Sequence, residues 1–318
     1  MTRPSIRLAA TALLLAAAFA AAPIHAETRL ERWRAASASA REASAAASAL
    51  SDLVDGAQFD HAASVPRGVR AIRDVSYGAD RRQRLDVYVP AEAADTSPRP
   101  VVFFVHGGAW AFGDKGASRV VEPKVAHWVA CGWIVVSTNY RMLPTPVATQ
   151  VDDVAAALTY AQSHAAQWGA DPARFVLMGH SAGAHLVALV AAGAQTALTP
   201  QPWRGAVLLD SAALDVAGLM RQRHLPLYDR AFGRDPANWD RLSPQAQLAH
   251  ASAPLLAVCS SQRAESCPHA DAFVAKDSGF GARAHVLREN LSHGEINAKL
   301  GAESDYTAQV DAFLDSVR

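Results

Sequence analysis

No charge of one sign dominates this chain. Its 318 residues carry 30 basic and 30 acidic side chains. Lys and Arg are not clustered, so there is no electrostatic footprint for nucleic acid or for an anionic membrane surface. Cysteine is scarce, at three residues, which excludes a small disulfide-stapled scaffold. Disorder is excluded too, because half of the chain is apolar, enough for one large core or two modest ones. His-Glu-x-x-His, Gly-x-x-x-x-Gly-Lys and Gly-x-Gly-x-x-Gly are all missing, and no internal repeat is visible. His180 and His185 stand five apart, off a shared helical face, which argues against a zinc pair. No cofactor or metal is expected, and the expected partner is a small, roughly neutral molecule.

No apolar run reaches the roughly 20 residues needed to span hydrocarbon. The longest, Leu8 to Ala22, follows Arg3 and Arg7 and precedes Ile24-His25-Ala26, a plausible cleavage point before Glu27. Residues 1–26 therefore read as a secretory signal, and the protein is expected to be exported to a periplasm or the medium. No Cys lies near that point, so a lipid anchor is not expected. Residues 27–66 are Ala/Ser-rich, a weak helix or a flexible lead-in to which no chemistry is assigned. Export would bring Cys259 and Cys267 into an oxidising compartment where they could pair. Cys131, just before an apolar strand, is expected to be a buried, inert thiol.

The core pattern begins near Val69. Ile72 to Tyr77 and Leu85 to Val89 alternate around Gly78-Ala79-Asp80, the signature of a hairpin. The pattern then changes to short continuous apolar runs at Val101–Val105, Trp133–Ser137, Arg174–Met178, Ala206–Leu209 and Leu255–Val258, with a last strand at Ala284–Arg288. Strands of this kind are buried on both faces of a parallel sheet. Helical stretches lie between them at Val120–Ala130, Val151–Gln167 and Ala184–Ala192, and another closes the chain at Tyr306–Val317. An α/β layer architecture with right-handed crossovers follows. Between about 211 and 253 the alternation stops, which points to a cap over a site. There Tyr228, Phe232 and Trp239 either line an acyl pocket or pin the insertion to the core.

Gly179-His180-Ser181-Ala182-Gly183 sits between a strand and a helix, as a nucleophile elbow requires. Glycine two residues to either side relieves the crowding of so sharp a turn. A serine hydroxyl needs a base within hydrogen-bond reach. His293 is the candidate, on the loop between the last strand and the last helix, whereas His185, inside the elbow helix, is expected to support the sheet. An oxyanion would need prepositioned amides. Gly108 and Ala109, in His106-Gly107-Gly108-Ala109-Trp110 after a strand, and Ala182, after Ser181, are the candidate donors, with Gly107 a further one.

These motifs, together with Gly113-Asp114-Lys115, Asn139-Tyr140-Arg141 and Trp168-Gly169-Ala170-Asp171-Pro172, resemble the α/β-hydrolases of the carboxylesterase, hormone-sensitive-lipase-like and arylformamidase group. The likeness covers about Val69 to the C-terminus. It implies an α/β-hydrolase domain over 67–318, with a mostly parallel sheet of about eight strands flanked by helices and a small cap insertion. It also implies hydrolysis of carboxylic esters, sometimes of formyl amides, through an acyl-serine. Ala109 replaces the commoner third glycine. Members usually carry His-Gly-x-x-Asp after the strand corresponding to Leu255–Val258, but here Arg263 occupies the place of the aspartate. Glu265, between the two neighbouring cysteines, is the first candidate for the acid, with Asp271 and Asp210 as alternatives. The expected activity is that of a serine esterase on small or medium acyl esters, with formyl-amide hydrolysis or a catalytically silent binding module as rival readings.

Overall fold

A computed structural model describes residues 63–92, 97–211 and 213–318. The expected signal and residues 27–62 of the Ala/Ser-rich segment lie outside the described residues. Strands β1 (Val69–Ser76) and β2 (Arg84–Pro90) form the antiparallel hairpin, and β2 then pairs antiparallel with β4 (Ile134–Thr138). From β4 onward the pairing is parallel through β3 (Arg99–Val105), β5 (Ala170–His180), β6 (Gly205–Leu209), β7 (Leu255–Ser260) and β8 (Ala284–Glu289). The eight strands run in the order β1-β2-β4-β3-β5-β6-β7-β8.

Each parallel strand feeds both faces, because successive side chains point to opposite sides of a pleated sheet. Val101, Phe103, Val105, Leu177 and Leu208 pack on one side, under α2 (Val147–His164) and α3 (Ala182–Ala191). Val102, Phe104, Met178 and Leu209 pack on the other, under α1 (Ser118–Ala130) and a C-terminal helix, Asp305–Ser316. Two buried layers explain why these strands read as continuous apolar runs rather than alternating ones. Cys131 departs from expectation. It is exposed, because it sits on the turn that ends α1 and the buried strand begins only at Ile134.

Four short helices make the cap: α4 (Val216–Met220), α5 (Pro226–Phe232), α6 (Pro236–Arg241) and α7 (Pro244–Gln247). Their starts are written locally. Proline occupies the first turn of three of them, where its missing N–H costs nothing. Asp215 and Asp235 accept from the amides of Gly218 and Ala237 to cap α4 and α6. Beyond the cap come α8 (Ser266–Gly279), α9 (His293–Ala298) and the C-terminal helix, α10 (Asp305–Ser316). No helix among the described residues is long and apolar enough to cross a membrane.

Candidate active site

Parallel strands deliver their carboxyl ends to one edge of the sheet, where ligands bind in open α/β folds. Ser181 joins β5 to α3 with φ 55° and ψ −117°, a conformation that non-glycine residues rarely adopt. A Cβ on Gly179 would lie 2.4 Å from the Gly183 carbonyl oxygen, and one on Gly183 would lie 2.2 Å from that of Val105. Only glycine fits at either place. The Ser181 amide donates to Leu209 O at 2.9 Å, tying the elbow to the end of β6.

The loop after β3 lies directly against the elbow. A Cβ on Gly107 would meet His180 Nδ1 at 2.9 Å and the Ser181 Cβ at 3.1 Å. Gly108, Ala109 and Trp110 follow with φ of 114°, 52° and 59°, three left-handed residues in succession. Strain of this kind persists only where the surroundings hold it, and here they do. Ala111 N and Phe112 N donate to Gly108 O, while Leu143 N and Gln150 Nε2 donate to Trp110 O. His106 stacks on Tyr140 at 4.7 Å, and its carbonyl accepts from the Tyr140 hydroxyl. Ala182 opens α3, and the first amides of a helix have no intrahelical acceptor.

Two of the remaining motifs, Gly113-Asp114-Lys115 and Asn139-Tyr140-Arg141, frame this loop. Asn139 accepts from Lys115 N at 2.7 Å and donates to Asp114 at 2.9 Å. Lys115 is ion-paired to Asp74 and Asp86, and Arg141 grips Asp153 through two nitrogens. Of the histidines, His185 does not brace the sheet as expected. Its Nδ1 accepts from Trp110 Nε1 and its Nε2 donates to Leu242 O at 2.7 Å, so it fastens Trp110 and the end of the cap to the elbow helix. Burial pushes it down to about 4, which keeps the ring neutral for both bonds.

His293 is the first residue of α9 rather than a loop residue, behind a capping box in which Ser292 and Glu295 satisfy one another's backbone amides. Its ring is buried, tilted against that of His180 at 4.5 Å, and its carbonyl accepts from His180 Nε2 at 3.0 Å.

The expected acid is corrected by the structure: the carboxylate on His293 belongs to Asp210. Its Oδ2 lies 2.5 Å from His293 Nδ1. Asp210 follows β6 directly, is fully buried and has φ 54°. Oδ1 accepts from Ser260 N at 2.8 Å and from the Ser266 hydroxyl, and Oδ2 accepts from Arg263 Nη1 at 2.8 Å. Burial alone would raise this carboxyl, but the hydrogen bond and charge of His293, the Arg263 charge and the Ser266 bond outweigh it and hold it far below the ordinary range. Glu265 stands at the start of α8, about half exposed, and reaches only Arg263 Nη2 at 3.2 Å. Asp271 is exposed and paired to Arg288. The physical reason is lateral. Asp210 ends β6, two strands from the β8 that precedes His293, and reaches the imidazole across the end of the intervening β7, beyond which Arg263 takes the place expected of the acid. The sequence does carry a signal for Asp210, a charged residue abruptly ending a fully apolar strand.

Cys259 and Cys267 form a disulfide. The loop it closes contains Ser260, Arg263 and Ser266, all three of which bind Asp210. Ser181, Ala182, Asp210 and His293 share the wall of one narrow cleft with Trp110 and Tyr228. Phe232 is buried against Trp110 at 4.8 Å and the Trp239 indole donates to Gly233 O. Of the three cap aromatics, Tyr228 faces the cleft and the other two pin the cap.

Residues 85–207 match the family model BD-FAE. Among curated relatives, a probable isoprenylcysteine alpha-carbonyl methylesterase of Arabidopsis thaliana is 38% identical over 117 residues, 36% of this chain and 24% of that protein. A probable carboxylic ester hydrolase of Mycobacterium tuberculosis is 36% identical over 120 residues, 37% of this chain and 27% of that protein. The matched region thus spans about a quarter of those relatives. Among solved structures, esterase B of Lactobacillus rhamnosis superposes with a TM-score of 0.67 at 20% identity, covering 90% of this chain and 96% of that one. A truncated carbohydrate esterase from gut microbiota gives 0.65 at 18%, covering 81% and 99%. Sheet order, elbow and these similarities converge, and the chain has the α/β-hydrolase fold.

Proposed function

We propose that the protein hydrolyses carboxylic esters with small or medium acyl groups through an acyl-serine on Ser181. The observation that carries this reading is the buried Asp210–His293 pair on the wall of the cleft into which the elbow presents Ser181. Asp210 accepts the Nδ1 proton, which leaves the Nε2 lone pair of His293 free to act as the base. Ser181 Oγ attacks the ester carbonyl while His293 takes its proton. The oxyanion rests on the amides of Gly108, Ala109 and Ala182. His293 then returns the proton to the departing alcohol, and water repeats the attack to release the acid. The disulfide suits the export expected from residues 1–26.

The test is turnover of p-nitrophenyl acetate, butyrate and palmitate by the wild type and three variants. Ser181→Ala is expected to lose at least about a thousandfold in kcat. Asp210→Asn should lose about 10,000-fold, since the imidazole then loses its tautomer. Glu265→Gln should keep near wild-type turnover, and the palmitate ester should be the poorest substrate. An inactive wild type that cleaves N-formylkynurenine would move the reading to formyl amides. Failure on both, with Ser181 unlabelled by a fluorophosphonate, would leave a binding module.

A further inference from the structure

We propose that Arg263 is a positioning residue of this machinery, one that anchors Asp210 against His293 and opposes protonation of the imidazole by its fixed charge; this rests on the esterase reading of the site. The geometry is specific. Arg263 Nη1 lies 2.8 Å from Asp210 Oδ2 and 3.0 Å from His293 Nδ1, and that same Oδ2 lies 2.5 Å from His293 Nδ1. A guanidinium can only donate, so Nδ1 either donates to Asp210 or accepts from Arg263, never both. The first arrangement leaves Nε2 free as a base, whereas the second places the proton on Nε2 and disables it. The shorter contact, to an ionised carboxylate, favours the first. Arg263 and Nδ1–H then stand as two donors on one oxygen, with a positive charge about 3 Å from the ring.

The other groups facing His293 do not cancel this charge. At the end of β5, His180 is held neutral, lowered chiefly by burial and further by His293. Behind it on α1, Lys124 is likewise lowered by burial. On α5, the Tyr228 phenol is raised by burial and stays protonated, as does Tyr306 on α10. Glu265 sits on the far nitrogen of Arg263 and is half exposed. Asp210 carries the one negative charge in contact with the ring among the described residues. Arg263 tempers its pull toward imidazolium while keeping it aimed.

The experiment compares full-length wild type with Arg263→Gln, Arg263→Met and Arg263→Lys in two readouts. One is the pH dependence of kcat/KM on p-nitrophenyl butyrate. The other, independent of turnover, is the NMR titration of the His293 ring in histidine-labelled protein. In the Gln and Met variants the acid limb and the ring titration should both move to higher pH by about one unit, while the Lys variant stays near the wild type. Uniform loss of kcat/KM with neither readout displaced would overturn the proposal. If the wild type cleaves no ester, the esterase reading falls and the ring titration alone still decides the role of Arg263. Should both neutral variants fail to fold, Glu265→Gln supplies the opposite sign. Without that counter-charge the limb should fall by a few tenths of a unit, and a static or rising limb would overturn the proposal.

Discussion

At Gly107 the nucleophile and the loop after β3 touch with no room to spare. A methyl group there would press on His180 Nδ1 at 2.9 Å and on the Ser181 Cβ at 3.1 Å, contacts closer than van der Waals packing permits. Gly107→Ala is therefore expected to cut kcat by about ten- to a hundredfold, since an ångström of misplacement costs about that much, with the fold intact by circular dichroism. Unchanged kcat would mean that the loop retreats without cost. Gly179 and Gly183 are legible in the sequence because they stand two residues to either side of Ser181 between a strand and a helix, and Gly107 because it follows an apolar strand in a glycine pair. The acid is not local. Asp210 follows an apolar strand, Glu265 precedes a helix and Asp271 lies within that helix, and only the lateral order of strand ends selects one of them. Arg263 was legible as an anomaly, but its contact with the imidazole was not.

The loop from β7 to α8 is the element on which the site depends most. One disulfide ties its ends, eight residues apart, and from between them come the Ser260 amide, the Arg263 guanidinium and the Ser266 hydroxyl that hold Asp210. Replacing both Cys259 and Cys267 by Ser should lower stability by about 2 to 3 kcal/mol, read as a lower melting temperature. It should also reduce kcat severalfold at constant KM, because the acid loses its fixed partners rather than the substrate its pocket. A fall in melting temperature with kcat unchanged would show that the three hydrogen bonds hold the loop by themselves. Helix α8 itself is hard to read from sequence. Its buried face consists of Ala270, Phe273 and Asp277 rather than a stripe of large aliphatics, so the 3.6-residue period is faint. The parallel strands, by contrast, announce themselves because both their faces are apolar.

Across the molecule as a whole, the least expected charge is Lys124. It is buried on α1, its Nζ donates to Val120 O and Asn297 O, and it stands over the face of Phe104 at 5.2 Å. Burial pushes it down to about 7. Between pH 7 and roughly 10 the unfolded chain keeps this proton while the folded protein has released it, so stability rises with pH across that window. Urea unfolding of the wild type should therefore show stability increasing by about 1 kcal/mol per pH unit from 7 to 9.5. Lys124→Met should be flat over the same range. Equal slopes would mean that Lys124 is protonated in both states.

Strand order also sets the sequence in which the molecule fails. Ser181 and Asp210 end β5 and β6, interior strands paired on both sides, whereas His293 follows β8, which pairs with β7 alone and closes the sheet. Edge strands are the first to fray, because they hold fewer hydrogen bonds and less buried surface. His293 is therefore expected to lose its place before Ser181 and Asp210 lose theirs. On the esterase reading, loss of ester turnover under heat or denaturant is therefore expected to precede the loss of far-ultraviolet circular dichroism, and coincident transitions would show that β8 unfolds with the rest of the sheet.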